Sequence, residues 1–440
     1  MLRRKIEQKL VEWKNLPDHK PLVIKGCRQC GKTFSVLDFA KKNYEHVVYL
    51  NFFVNPQYAS VFSGSLEVDH ITMILSALMG RDAIFEAGKT ILVLDEIQEC
   101  PDARTALKFF KLDGRYDVIG TGSLLGVKGY GDKEPKSIPV GYETVIDMYP
   151  LDFEEFLWAN GISEQIIMLL KKHLQERTVV PDALHQRLRD LFLQYTVVGG
   201  MPDAVQRFVN TKRMDEVLQI QRDIVRSYED DMVKYAEKKD KPVIKECFQS
   251  IPKQLSKENK KFQYSVVKKG ATASKFQGSL QWIEDAGIIS RCYNLSITEL
   301  PLDGNAEKDI FKVYMRDMGL FVSMLEDGTQ FDILQGNLFG YKGAIFEGII
   351  ADIFSKMGRK LYYFHKDSGL EIDFVIRYKG ECVLVEVKAS SGNTKSTKTI
   401  LKHPEKYHVK KAIKLGDYNV GYSEQILTLP LYMAFLLNET

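Results

Sequence analysis

The chain has 440 residues, with 61 Lys+Arg against 58 Asp+Glu and a net charge of +3. So small an imbalance excludes a strongly basic nucleic-acid coat and an acidic tail protein, while leaving room for a local basic groove. Hydrophobic residues make up 45% and charged residues 27%, a globular composition, and the length predicts two to four domains.

Residues 1–14 read as a charged amphipathic helix, with no apolar run behind it to form a cleaved leader. Pro21 to Lys25 is a short apolar run ending in Gly26, and Thr33 to Lys42 has helical spacing. His46 to Phe53, Thr90 to Leu94 and Tyr116 to Gly120 are β-rich or apolar on both faces. Such strands alternating with helices predict a parallel α/β sheet over residues 1–150. Helical patterns dominate 151–240, broken at Gly199-Gly200-Met201-Pro202 and closing on the solvated linker Lys238 to Lys241. Residues 241–340 begin with three helices and a strand hairpin, the order of a winged helix-turn-helix. Residues 341–440 read as helix (Gly343 to Met357), strand (Lys360 to Phe364) and hairpin (Glu371 to Lys388). The apolar stretch Ile426 to Leu437 contains Pro430 and is too short for a bilayer span. Six cysteines are too few for a disulfide scaffold. The expectation is a cytoplasmic protein without a membrane partner.

Gly26-Cys27-Arg28-Gln29-Cys30-Gly31-Lys32-Thr33 fits G-x-x-x-x-G-K-[ST] without mismatch, between an apolar run and a helical one. Its glycines let backbone N–H groups turn inward onto phosphate oxygens, at the positive end of the following helix. Lys32 is expected to reach the β/γ-phosphates of ATP and Thr33 to ligate Mg²⁺. The run Ile91 to Leu94 ends in Asp95 and Glu96, which it delivers to the sheet edge beside that loop. Asp95 would hold Mg²⁺ and Glu96 would orient or deprotonate water. Thr121 or Ser123 either senses the γ-phosphate or forms a strand-end turn. Asn51 either restrains Glu96 or caps its strand. Cys27 and Cys30 form C-x-x-C without the context of a thioredoxin or the further ligands of a zinc site. They read as filler positions, with oxidative inactivation as the lesser alternative.

The loop GCRQCGKT resembles the GxRQxGKT of a bacterial and archaeal family of predicted AAA+ ATPases. LVLDEIQ, TGSLLG, VGYETVIDMYPLDFEEFL, VGGMP and VEVK match in the same order, over essentially the whole chain. The resemblance implies an AAA-type core hydrolysing ATP through Lys32, Thr33, Asp95 and Glu96, and a helical lid after Pro150. It also implies a winged-helix region and a small C-terminal α/β domain similar to PD-(D/E)xK nucleases. Cys30 departs from the small aliphatic residue expected there. AAA relatives place the site between subunits, so a homo-oligomer is expected. Arg104 and Arg115 are the candidates for an arginine finger.

Glu-x-Lys recurs along the chain, but only Glu386-Val387-Lys388 lies in an apolar strand with an acidic strand upstream, Glu371 to Ile376. If Lys379-Gly380 is a two-residue turn, Asp373 faces Glu386 and Glu371 faces Lys388, all four on one side. Opposed carboxylates repel unless a divalent cation with hard oxygen ligands bridges them. Glu347, on the preceding helix, is the third acid, and Lys388 would orient or activate water. The competing reading is an exposed acidic face with Lys388 paired to Glu371. Lys253, Lys257, Lys260, Lys261, Lys268, Lys269 and Lys275 crowd the predicted winged helix and suit phosphate contacts with DNA. The expected function is an ATP- and Mg²⁺-dependent AAA-type ATPase coupled to a nucleic-acid-binding module whose metal site admits cleavage. The alternative is a nucleotide-switched signalling or interaction ATPase without nuclease chemistry.

Overall fold

The computed structural model describes residues 2–123, 141–235, 241–255, 261–337, 342–388 and 394–438. Residues 238–240 of the predicted linker, Lys257 and Lys260 of the basic stretch, and the end of the TGSLLG motif lie outside the described residues. The chain divides into two compact units, residues 3–149 with 285–287, and residues 150–284 with 288 onward. Among the described residues, no helix is long and apolar enough to cross a membrane.

The first unit runs α1 (Lys5–Asn15), β1 (Leu22–Lys25), α2 (Lys32–Asn43), β2 (His46–Asn51), α3 (Val68–Met79), β3 (Thr90–Asp95), α4 (Pro101–Asp113), β4 (Asp117–Gly122) and β5 (Thr144–Asp147). The strands form one sheet, ordered β2-β3-β4-β1-β5, with every pairing parallel. All six residues of β3 are buried. Leu92 and Leu94 join a core with Ile71 and Leu75 of α3 and Leu107 and Phe110 of α4. Ile91 and Val93 are buried on the opposite face, as alternation requires. Each such side chain contributes about 1.5–3 kcal/mol on burial. β3 is not the neighbour of the strand that feeds the phosphate loop, because β4 lies between β3 and β1.

The second unit begins with α5 (Phe153–Ala159), α6 (Glu164–Glu176), α7 (Asp182–Val198), α8 (Pro202–Thr211) and α9 (Met214–Tyr235). Next come α10 (Lys241–Leu255), α11 (Tyr264–Val267), α12 (Ala273–Asp285), β6 (Ile289–Leu295) and β7 (Ala306–Met315). These are three helices and then an antiparallel strand pair. They are followed by α13 (Met318–Ser323), α14 (Thr329–Gln335), α15 (Lys342–Lys356), β8 (Leu361–His365), β9 (Glu371–Ile372), β10 (Phe374–Tyr378) and β11 (Glu381–Lys388). The unit ends with α16 (Lys395–Leu401), α17 (Pro404–Tyr407), β12 (Ala412–Gly416), β13 (Gly421–Ser423) and β14 (Ile426–Pro430). One sheet is ordered β7-β6-β8-β9 and the other β10-β11-β12-β14-β13.

The β10–β11 hairpin turns through Lys379 and Gly380 at φ 50° and 78°, both left-handed as a two-residue turn needs. Its register runs from Tyr378 opposite Glu381 to Phe374 opposite Val385, as the turn predicts. The ladder stops there. Glu371 and Ile372 pair instead with His365 and Phe364 of β8, so Glu371 does not face Lys388.

A buried polar cluster ties this unit together. The Lys356 ammonium donates to the Tyr195 hydroxyl at 2.9 Å and to Asp352 at 3.0 Å, with Asp317 at 3.5 Å. Asp317 also accepts from the Gly200 N–H at 2.7 Å, and Tyr195 donates to the Leu151 carbonyl at 2.9 Å. A Cβ on Gly200 would lie 2.0 Å from that same Leu151 carbonyl oxygen, a clash with backbone that cannot rotate away. Gly200→Ala is therefore expected to cost about 3 kcal/mol or more, read as a fall in denaturation midpoint.

Burial lifts the Asp352 carboxyl to about 7, with Lys356 opposing the rise and Asp317 adding to it. A folded pKa above the unfolded one means that this group's contribution is full below about pH 4 and is lost as pH rises through about 7. Asp352→Asn stays neutral throughout. Wild type is expected to lose about 2 °C or more of melting temperature relative to this variant between pH 5 and pH 8. A pH-independent difference would contradict the assignment.

Candidate functional site

Residues Gly26 to Gly31 connect β1 to α2 and bring the loop over the C-terminal edge of the sheet. The first glycine is required by close approach, since a Cβ on Gly26 would sit 2.1 Å from the Met148 carbonyl oxygen. Gln29 and Gly31 are left-handed, at φ 63° and 96°. Lys32 folds back on the loop and donates to the carbonyls of Gly26 and Cys27, each at 2.9 Å. Phosphate oxygens are the natural alternative acceptors for that ammonium. Arg28 stacks over the Phe53 ring at 5.7 Å. From α1's N-cap, Arg4 donates to the Cys30 carbonyl at 3.0 Å and the Tyr149 carbonyl at 2.7 Å. That pair of bonds pins the far side of the loop.

Asp95 is 2% exposed at the end of β3. The Thr33 hydroxyl lies 3.1 Å from both of its carboxylate oxygens. Tyr49 donates to it at 2.8 Å, Asn51 at 2.9 Å, and Thr121 also donates. Burial raises the Tyr49 hydroxyl to about 12, and its bond to Asp95 adds to the rise. Asn51 stands directly beside Asp95 in the β2–β3 register, which corrects the expectation that it restrains Glu96. Its side-chain oxygen accepts from the N–H groups of Phe53 and Val54 at 3.0 and 2.8 Å, so the strand-capping role stands. Glu96 is left-handed at φ 53°, a conformation that costs roughly 1–3 kcal/mol and clusters at functional sites. Gln98 donates to its carboxylate, and Ser123 does so at 3.3 Å. The two candidate fingers are engaged. Arg104 makes a bidentate pair with Glu143 at 2.6 and 3.1 Å, and Arg115 binds Asp113 and Asp69.

The second set of acids lies in the second unit. Glu347 on α15, Asp373 just before β10 and Glu386 on β11 are all buried. The Val387 N–H donates to Asp373 at 2.7 Å. Glu386 binds Lys388 at 2.7 Å and accepts from Thr397. Lys388 therefore pairs with Glu386, not with Glu371, and the exposed acidic face is not formed. Burial lifts the Asp373 carboxyl to about 7; Glu347 adds to this, while Lys388 and Lys312 oppose it.

Lys312 escaped the sequence reading. It is 2% exposed on β7 and lies 3.0 Å from Glu371 and 3.7 Å from Glu347. Tyr314, two residues on, donates to Glu347 at 3.0 Å. The signal was a charge at the inward phase of the apolar run Ile310 to Met315. Among the described residues, one trio alone, Glu45, His46 and Glu86, has its ligand atoms all within 4.8 Å of one another. Lys89 already engages it, 3.2 Å from each of the two glutamates. The carboxylates of Glu347, Asp373 and Glu386 are spread more widely.

Comparison with known families matches residues 18–157 to the AAA domain, and residues 189–330 and 342–433 to two domains of unknown function (DUF8612 and DUF4143). Comparison with curated proteins returns no match. Among solved structures, the Walker-type ATPase PABY2304 of Pyrococcus abyssi is 13% identical over 74% of this chain and 96% of its own, with TM-score 0.42. The Aeropyrum pernix ORC2 protein in its ADPNP–ADP complexes is 14% identical over 77% and 91%, with TM-score 0.34. DnaA of Aquifex aeolicus bound to AMPPCP is 11% identical over 64% and 86%, with TM-score 0.28. The stretch similar to an AAA domain is the one that carries both the phosphate loop and Asp95, and the match supports ATP binding there.

Proposed function

We propose that this protein is an AAA-type ATPase coupled to a nucleic-acid-binding, metal-dependent DNA-cleaving C-terminal module. The observation that carries the ATPase half is the meeting of Thr33 and the buried Asp95 across β4, at 3.1 Å. A hydroxyl and a carboxylate so placed are hard oxygen donors suited to Mg²⁺. Thr33 and Asp95 would hold the ion, which supplies charge neutralisation on the phosphates. Lys32 exchanges two backbone carbonyls for phosphate oxygens. Glu96, steadied by Gln98 and Ser123, orients the attacking water.

The cleavage half rests on Glu347, Asp373 and Glu386. With Glu371 they bring four carboxylates against two ammonium groups, Lys312 and Lys388. That imbalance suits a divalent cation, which Glu347, Asp373 and Glu386 would hold. Lys388 would hold water near the scissile phosphate. Lys253, Lys261, Lys268, Lys269 and Lys275 are exposed on and around α10 to α12. Helices α10 to α12 followed by the β6–β7 pair suit a winged-helix reading, in which those lysines contact DNA phosphates.

The alternative, a nucleotide-switched interaction protein, is favoured by the bond from Lys388 to Glu386 at 2.7 Å. That bond occupies an oxygen which a metal would need. A two-arm assay decides between the readings: phosphate release from ATP with Mg²⁺, and plasmid integrity with Mg²⁺ or Mn²⁺. ATP hydrolysis without nicking under any metal or nucleotide would leave the switch reading in front.

A further inference from the structure

The phosphate loop holds two thiols three residues apart. Cys27 and Cys30 stand at the ends of a turn through Arg28 and Gln29. Gln29 at φ 63° is the left-handed third residue of a type II turn. The ends of such a turn lie within about 7 Å, and a disulfide spans Cα separations of about 4.4–6.8 Å. Both side chains are buried, at 5% and 0% exposure, and both are thiols. The Cys30 thiol donates to the Met148 carbonyl at 3.6 Å; the neighbouring Cys27, then Lys32 and Arg4, lower it to about 6 against the effect of burial.

We propose that Cys27 and Cys30 form a reversible disulfide that closes the phosphate loop to nucleotide, so that ATP and oxidation compete for one turn. The proposal rests on the ATP-binding reading. The loop has no slack to absorb the bond. Cys30 Sγ lies 3.2 Å from where a Cβ of Gly26 would be, and Lys32 is anchored to the Cys27 carbonyl. Drawing the two sulfurs to about 2.05 Å moves the turn that carries them. That turn supplies the amides that would face phosphate oxygens.

The oxidant is a peroxide. The Cys30 thiolate attacks one oxygen of hydrogen peroxide, the O–O bond breaks and hydroxide leaves, giving a sulfenic acid. The Cys27 thiol then attacks that sulfur, the S–O bond breaks and water leaves. Two thiols lose two electrons and two protons, and one peroxide becomes two waters. A dithiol reductant restores both thiols by exchange. Because linkage is reciprocal, bound nucleotide must disfavour the disulfide at equilibrium by the factor by which the disulfide weakens nucleotide binding.

The test uses the full chain, hydrogen peroxide and a fluorescent ATP analogue. Reduced wild type is titrated first. Failure to bind at that stage sinks the ATP reading and the gate with it, and so is distinguishable from failure of the gate alone. Treated wild type is expected to lose two hydrogens by intact mass. Its tryptic peptides should be joined across the Arg28 cleavage point, and its affinity should fall by about tenfold or more, restored by dithiothreitol. Cys27→Ser, read only against its own reduced form, is expected to gain an oxygen rather than lose two hydrogens. The proposal is overturned if wild type gains oxygen without the cross-link, if the cross-linked protein binds as before, or if ATP fails to shift the dithiol–disulfide balance toward the thiols in a dithiothreitol redox buffer.

Discussion

Replacing Lys32 by Ala is expected to cut phosphate release from ATP by roughly 100- to 1,000-fold, the usual loss on removing one preorganised charge from a transition-state site. The ammonium is held on its own loop by two backbone carbonyls, at 2.9 Å each. Lys32→Ala leaves those carbonyls to water and, among the described residues, breaks no ion pair. The variant should therefore fold, and its melting temperature without nucleotide checks this. Unchanged hydrolysis would mean that phosphate is released elsewhere on the protein, and the loop would lose its assigned role.

Asp373→Ala is expected to abolish plasmid nicking, by about 100-fold or more, while leaving ATP hydrolysis at the wild-type rate. Asp373 sits in the second unit, whereas Lys32, Thr33, Asp95 and Glu96 all belong to the first. The substitution also removes a buried carboxyl whose ionisation burial and Glu347 both oppose. Lost nicking with raised or unchanged thermal stability would mark a group kept for chemistry at a structural cost. Nicking that persists in Asp373→Ala would rule out this cluster as its source.

How much of this was legible in the sequence depended on how local each feature is. The phosphate loop is eight consecutive residues, and its glycine and lysine positions carry their own reasons. The β10–β11 register followed from Lys379-Gly380 because a two-residue turn leaves a hairpin no freedom to slip. Where two strands meet only through the sheet, the sequence was silent. Nothing in Asn51 or Thr121 announces that β2 and β4 flank β3, yet that order gives Asp95 both of them as donors. Glu371 was misplaced for a related reason. The ladder ends at Phe374, and β8 takes up the two residues that the hairpin was expected to continue through. Lys312 and Tyr314 reach the acidic cluster from β7, and Thr397 reaches it from α16, so no spacing rule within the hairpin could find them.

The knot around Lys356 bears on how such a chain can be rearranged. Its members are Leu151, Tyr195, Gly200, Asp317, Asp352 and Lys356. Segments matched to different families thus share one ammonium. Recombination at residue 340 would leave Lys356 with Asp352 but part it from Asp317 and Tyr195, and recombination at 240 would part it from Tyr195 alone. Exchange of parts between relatives is therefore expected to succeed near residue 150 and to fail within the block that follows, which is inherited whole.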